Sequence, residues 1–332
     1  MIKADALKGK TVVLTGATRG IGLEIAHLFA QKGANLIGIA RSHSDLSRWT
    51  TEIEALGVKA ATVTFDLAYT KQLPALKQCI LHAAHNLNPN HSKIDILINN
   101  AGVETYRAFR DYSLEEIETV IRVNLLSVMS LTRLLLPHLT PDARIVNMGS
   151  LASKKSHPYD SAYAASKAGL LMWNHSLRQE LTGSNLSVCV ICPGYVSDIG
   201  MLADTGISAP FLAGRSQAKT VAQSVLTATL QRTPETIVNQ NAILQFSTRL
   251  LIALEQIFPQ LGDLSNQWMG ITEKNRKRAH PNPPSSNVSS PDSLNPNISS
   301  PSILNSKASN LNVSNPKSSH RPLASQPSNS ST

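Results

Sequence analysis

Cysteine is scarce in this chain of 332 residues: Cys79, Cys189 and Cys192 are the whole complement. They are too few and too scattered for a disulfide framework, so a reducing, cytoplasmic setting is expected. Aromatic residues make up 5% of the sequence and charged residues 16%. No stretch reaches the roughly 18 to 20 consecutive apolar residues of a membrane span, and the best candidate, Leu250 to Phe258, is broken by Glu255 and Gln256. No apolar run precedes Thr11, so no signal peptide is expected. The ten histidines include no helix-spaced pair with acidic company, and the C-x-x-C of Cys189 and Cys192 lacks two further ligands, so no metal site is expected. Those two cysteines read as core thiols. What is present is a 42% hydrophobic content, enough for a sizeable core. The formal charge of +9 is partly local, concentrated in Lys274, Arg276, Lys277 and Arg278 and in a tail where Lys307, Lys317 and Arg321 face only Asp292. It does not by itself imply a nucleic-acid partner.

Three regions are expected: 1–240, 241–279 and 280–332. In the first, short β-branched runs (Thr11 to Thr15, Asn35 to Ala40, Ala60 to Phe65, Asp95 to Asn99, Arg144 to Met148, Leu186 to Ile191, Thr236 to Val238) alternate with amphipathic segments. Near-continuous apolar strands separated by helices predict an α/β fold, a doubly wound parallel sheet in a single domain, with ligands at the carboxyl ends of the strands. In the second, Ile243, Leu244, Phe246, Leu250, Leu251, Leu254, Ile257, Phe258 and Leu261 recur at helical steps, with Pro259 as a break. The expectation is a helical extension packed on the domain or on a second subunit; a helix lying on a membrane surface is the alternative not favoured. The third is dominated by Ser, Asn and Pro, holds an imperfect repeat (NVSSPDSLNP, then NISSPSILNS) and is expected to be disordered.

Two local patterns carry chemistry. Thr15-Gly16-Ala17-Thr18-Arg19-Gly20-Ile21-Gly22 follows the first strand and opens a helix. Its glycines permit a tight turn and close approach of backbone amides to a pyrophosphate, which the helix N-terminus favours. Tyr163 and Lys167, four apart on a helical segment, project from one face, so the ammonium is expected to lower the phenol's pKa toward that of a general acid/base.

The three-residue spacing between Gly16 and Gly20 resembles the TGxxxGIG motif of the short-chain dehydrogenase/reductase family. The resemblance continues through Asp66 and Leu67 (FDLA), Asn99, Asn100, Ala101 and Gly102 (NNAG), Asn124 (RVNLLS), Ser150 (IVNMGS), Tyr163 and Lys167 (YAASK), and Pro193, Gly194 and Val196 (CPGYV). It implies a Rossmann-type fold and an oxidoreductase moving a hydride between a nicotinamide and a carbonyl or alcohol. It further implies Tyr163 as the acid/base, Ser150 as the hydrogen bond to the substrate oxygen, Lys167 on the nicotinamide ribose, and Asn124 orienting a water. The cofactor contacts it implies are Thr15, Gly16, Thr18, Arg19, Gly20, Ile21, Gly22, Asp66, Leu67, Asn100, Ala101, Gly102, Tyr163, Lys167, Pro193, Gly194 and Val196.

After the second strand an NAD site would place a carboxylate on the ribose, whereas this chain has Ala40, Arg41 and Ser42. Arg41 with Arg19 suits a 2′-phosphate, so NADP(H) is the expected cofactor. Asp198 stands where the family usually has a threonine. The apolar loop after it (Met201, Leu202, Ile207, Pro210, Phe211, Leu212) suggests an apolar or acyl-chain carbonyl compound as the small-molecule substrate, and His157 is the histidine closest to it in expectation. A homo-oligomer is expected, dimer or tetramer left open. The alternatives are a membrane-associated lipid or 3-oxoacyl reductase, and a non-catalytic NADP-binding regulator.

Overall fold

The computed structural model describes residues 3, 5–196, 200–201, 203–208, 215–239, 242–280 and 302–304. Strands β1 (Thr11–Thr15), β2 (Asn35–Ala40), β3 (Ala60–Thr64), β4 (Ile94–Asn99), β5 (Leu139–Met148), β6 (Ser187–Pro193) and β9 (Glu235–Val238) form a parallel sheet in the order β3-β2-β1-β4-β5-β6-β9. Between β6 and β9 a two-residue pairing joins β7 (Tyr195–Val196) to β8 (Arg215–Ser216). These strands are buried on both faces, which is why their sequences are apolar without alternation. The order reverses between β1 and β4, and the crevice at their carboxyl ends is where such a sheet binds ligands.

Helices α1 (Gly20–Gln31), α2 (His43–Glu54), α3 (Leu73–Leu87), α4 (Leu114–Ile121), α5 (Ser127–Leu135), α6 (Ser161–Glu180) and α7 (Ala218–Gln231) cover the sheet. One apolar cluster gathers Val12, Leu14, Ile25, Phe29, Val225 and Leu226, and a second gathers Val13, Ile37, Leu76, Ile80, Leu97 and Leu131. Val12 and Val13, adjacent in β1, therefore feed opposite faces, as the strand's two-residue period requires. Residues Arg122–Leu126 form a π turn joining α4 to α5. Together Leu114–His138 make one helical segment of 25 residues with a hydropathy of 1.5, long and apolar enough to cross a bilayer. The sequence reading, which sought unbroken apolar runs, did not single it out. It packs against α3 and α6 in the sheet's cover, burying Val120, Val123, Val128, Leu131 and Leu135, while Leu114 and Leu126 stay exposed.

Beyond β9 the chain forms α8 (Ala242–Ile257), α9 (Pro259–Trp268) and α10 (Ile271–Ala279). These helices differ from the expectation in which side they bury. Glu255, Asn266, Asn275 and Arg278 face inward, while Leu250, Leu254, Ile257, Phe258 and Leu261 are exposed. The surface they lie against is mixed: Ile252 joins Leu171, Val190, Cys192 and Ile237 in an apolar cluster, while Lys155 Nζ donates to Glu255 Oε1 (2.6 Å) and Ser265 Oγ (2.5 Å), Asn266 to the Ser156 carbonyl (3.1 Å) and Asn275 to the Pro158 carbonyl (2.9 Å). The backbone of β10 (Ser302–Leu304) pairs antiparallel with the outer edge of β3. The remainder of the tail expected to be disordered, like Ser197, Asp198, Leu202 and Pro210 to Leu212 of the expected substrate loop, lies outside the described residues.

Candidate active site

The turn after β1 is built for close approach. Gly16 has φ +65°, and a Cβ on Gly22 would stand 1.9 Å from the Gly16 carbonyl oxygen, so neither position takes a side chain without displacing backbone. Asn100 Nδ2 donates to the Thr15 and Gly16 carbonyls (both 3.0 Å), and Thr15 Oγ1 accepts from the Asn100 and Ala101 amides (both 3.0 Å). The NNAG segment is thereby tied to the glycine turn across the switch point. The N-cap of α1 is Arg19, whose side chain makes no capping bond, and the first turn carries no acidic residue. Its first-turn amides therefore have no side-chain cap from their own helix, the condition for holding a phosphate.

Arg41 is exposed just past β2, and Ser42 caps α2 by accepting from the Asp45 amide (3.2 Å). Arg19, by contrast, is engaged: its guanidinium pairs with Asp204 at 2.7 Å, both side chains being more than half exposed. An exposed pair of this kind is weak and exchangeable. Asp66 is buried and accepts from the Ala68 amide (2.9 Å), which fixes the turn that ends in Leu67 and Ala68. Pro193 ends β6 and the Gly194 amide donates to the Val238 carbonyl (3.2 Å), placing Gly194 and Val196 at the same carboxyl edge. Cys189 and Cys192 lie in β6, where burial pushes both thiols up to about 12, so neither is a ready nucleophile.

The structure brings Ser150, Tyr163 and Lys167 together. Ser150 follows β5 and caps a short turn, its Oγ accepting from the Ala152 amide (3.1 Å). Its hydroxyl lies near enough to the Tyr163 phenol to pull that group's pKa down. Lys167 Nζ lies 5.7 Å from the Tyr163 ring centroid and donates to the Met148 carbonyl at 2.8 Å. Burial lowers its pKa to about 8, against the opposing pull of Glu104. The expectation that Lys167 lowers the Tyr163 pKa is corrected: the phenol is raised well above its ordinary value, by burial first and then by Glu104 and Asp160. The ammonium, bound to a backbone carbonyl, stands over the ring, and burial outweighs the attraction it offers the phenolate.

Asn124 sits in the π turn, fully buried. Its Nδ2 donates to the Val103 carbonyl (2.8 Å) and to Ser166 Oγ (3.0 Å), and its Oδ1 accepts from the Val103 amide (2.8 Å). It pins the loop after β4 to α6, the helix that carries Tyr163 and Lys167. A π turn is a recurrent way of aiming one side chain out of helical register.

Sequence reasoning missed a polar group beside the tyrosine. The Tyr106 hydroxyl donates to Glu104 Oε1 (2.9 Å), and Asp160, buried just before α6, interacts electrostatically with Glu104. Both carboxyls are held above the usual range by burial, since two such groups in contact cannot both ionise freely. Arg278 of α10 lies over the Tyr106 ring (5.2 Å) and the Tyr195 ring (5.6 Å), supplying a compensating cation. His157 stacks against Tyr195 with centroids 6.0 Å apart, and burial drops its pKa to about 4, so its ring is neutral near pH 7. It borders a cavity of about 470 Å³ between the loop before α6 and helices α9 and α10. Signals were present in the sequence only as single residues: Glu104 follows the NNAG turn closely and Asp160 precedes the YAASK helix, but nothing in their spacing pairs them.

Known proteins resemble this chain over most of the described sheet and its cover. The ketoacyl reductase HetN of Nostoc sp. PCC 7120 is 46% identical over 275 residues, covering 82% of this chain and 93% of that protein. The oxidoreductase UcpA of Salmonella typhimurium is 35% identical over 193 residues, 57% of this chain and 70% of its own. A short-chain dehydrogenase from Burkholderia cenocepacia, crystallised in complex with NADP, superposes with a TM-score of 0.61 at 27% identity, covering 71% of this chain and 99% of that one. The sequence profile described as short chain dehydrogenase matches residues 10–206. With the glycine turn, the Ser150, Tyr163 and Lys167 cluster and these likenesses together, the chain belongs to the short-chain dehydrogenase family, oxidoreductases that act on CH–OH and C=O groups.

Proposed function

We propose that this protein is an NADP(H)-dependent reductase of a keto group carried on an acyl chain, with a 3-oxoacyl thioester as its substrate class. The observation that carries the reading is the meeting of Ser150, Tyr163 and Lys167 beside an uncapped α1 N-terminus, with no carboxylate following β2. The ketoacyl reductase relative at 46% identity supports the substrate class. NADP-bound family structures at 27% and 29% identity support the cofactor.

The residues present fit the cofactor. The turn of Gly16, Thr18, Gly20, Ile21 and Gly22 admits a pyrophosphate against the α1 amides. Arg41 and Ser42, with Arg19 once it exchanges Asp204 for the ligand, suit a 2′-phosphate. Asp66 and Leu67 border the adenine side; Asn100, Ala101 and Gly102 with Pro193, Gly194 and Val196 border the nicotinamide side. Bound NADPH supplies a hydride to the carbonyl carbon. Ser150 donates a hydrogen bond to the carbonyl oxygen as charge gathers there. Tyr163, kept in its phenol form by burial, hands that oxygen its proton. Lys167, a cation below about pH 8, attracts the transient phenolate and stabilises it until a proton returns. Asn124 keeps α6 at a fixed distance from the loop after β4.

Initial rates of NADPH and NADH oxidation with ketones, aldehydes and 3-oxoacyl thioesters test the reading, with Tyr163→Phe as control. The expected result is NADPH-dependent turnover of 3-oxoacyl thioesters that falls roughly 100-fold or more in the control. Tight NADPH binding without turnover of any of them would overturn it in favour of a regulator.

A further inference from the structure

Helices α8 and α9 bury Ile252 against the domain but leave a long apolar stripe in water. Leu250, Leu254 and Ile257 recur along α8 at four- and three-residue steps and form one stripe; Leu261, Leu264 and Trp268 do the same along α9, with Phe258 at the bend between them. All are exposed, Ile257 at 67% and Trp268 at 77%. The opposite sides carry Glu255, Ser265 and Asn266, gathered around Lys155 of the loop before α6. The exposed large apolar residues elsewhere among those described are Leu56, Tyr69, Phe109, Leu114, Leu126 and Met172, and they are spread over several elements. A helix pair that already buries Ile252 and still presents seven large apolar side chains outward is matched to apolar surroundings.

We propose that the α8–α9 corner is a membrane-contact surface that seats the enzyme on an anionic lipid bilayer, without crossing it. Three features favour lipid over a second copy of the chain. The bend Ile257-Phe258-Pro259 is exposed along its whole length, a protruding apolar corner that can enter a headgroup layer. Trp268, an aromatic suited to the interface, ends the α9 stripe. Exposed cations outnumber exposed carboxylates on the three helices: Arg249 on α8, and Arg276 and Lys277 on α10, which share Glu273 at 2.8 and 3.6 Å, against Glu273 itself and Asp263 of α9. Apolar insertion joined to basic residues at headgroup level is the pattern of interfacial helices. The cavity at His157 is bordered by Asp263, Asn266 and Gln267 of α9 and Thr272 of α10, so α9 connects the proposed contact surface to the loop before α6.

The test is co-sedimentation of the full chain with vesicles of phosphatidylcholine alone and with added phosphatidylglycerol, alongside gel filtration with light scattering. The variant is Ile257→Ser, Phe258→Ser and Leu264→Ser together, three exposed positions, with turnover of a short-chain water-soluble ketone as the folding control. Wild-type protein is expected to bind the anionic vesicles about tenfold more tightly than the neutral ones, to be released by salt, and to lose at least tenfold in the triple variant while the soluble-ketone rate stays unchanged. Absence of vesicle binding by the wild type, or equal binding by the variant, overturns the proposal. A wild-type dimer that the variant splits, without vesicle binding, overturns it in favour of a second copy. The vesicle readout needs no catalysis, and an unchanged Tm of the triple variant serves as the folding control should no ketone be turned over, so the proposal stands or falls separately from the proposed reaction.

Discussion

At the residue scale, Lys167 sets the pH response. Its ammonium is destabilised by burial to a pKa of about 8, so it is charged below that value and neutral above it. Reduction needs the cation and the phenol together, and the phenol form of Tyr163 persists to higher pH. The expected kcat for carbonyl reduction is therefore flat on the acid side and falls as pH rises through about 8; a profile flat to about pH 9.5 would contradict the assignment. Arg41→Ala should raise the KM for NADPH by roughly tenfold or more and leave that for NADH nearly unchanged, the scale of a lost charge-assisted bond. Equal losses for both would remove the 2′-phosphate assignment. These roles were legible in the sequence because each rests on residue type at fixed local spacing. The Glu104, Asp160 and Arg278 group was not, since it draws on three distant segments.

At the scale of elements, the turn from β1 into α1 is the tightest part of the site. In Gly22→Ala the new methyl would meet the Gly16 carbonyl oxygen at 1.9 Å, so the turn must open. The expected outcome is destabilisation of roughly 1–3 kcal/mol by overpacking, read as a lowered Tm, with at least tenfold weaker NADPH binding by titration. Strands β1 to β4 were foreseen within a residue of their bounds, because fully buried parallel strands are short apolar runs. For β5 the sequence showed only Arg144 to Met148, whereas the strand begins at Leu139. Pro141 and Asp142 hid its start, and the register shift in its pairing with β4 accommodates them. The outward stripes of α8 and α9 were visible as helical periodicity, but periodicity gives a face without saying which way it points.

At the scale of the whole molecule, the catalytic elements are held by the sheet and its cover, and β10 adds a three-residue antiparallel edge to β3. Removal of residues 281–332 is expected to leave NADPH turnover unchanged and to lower Tm by no more than roughly 4 °C, the cost of a short edge pairing; a large loss of turnover would show that the tail serves the site. The sequence alone determined the fold class, the order of strands and helices, the glycine turn, and the Ser150, Tyr163 and Lys167 group. Each of these follows from local periodicity, or from a motif that keeps its spacing along one or two adjacent elements. Only the tertiary structure decided the raised phenol of Tyr163, the pairing of Arg19 with Asp204, the carboxyl pair under Arg278, and the outward apolar face of α8 and α9. Desolvation and charge coupling depend on what lies within a few ångströms in space, and residues such as 104, 160 and 278 become neighbours only when the sheet closes.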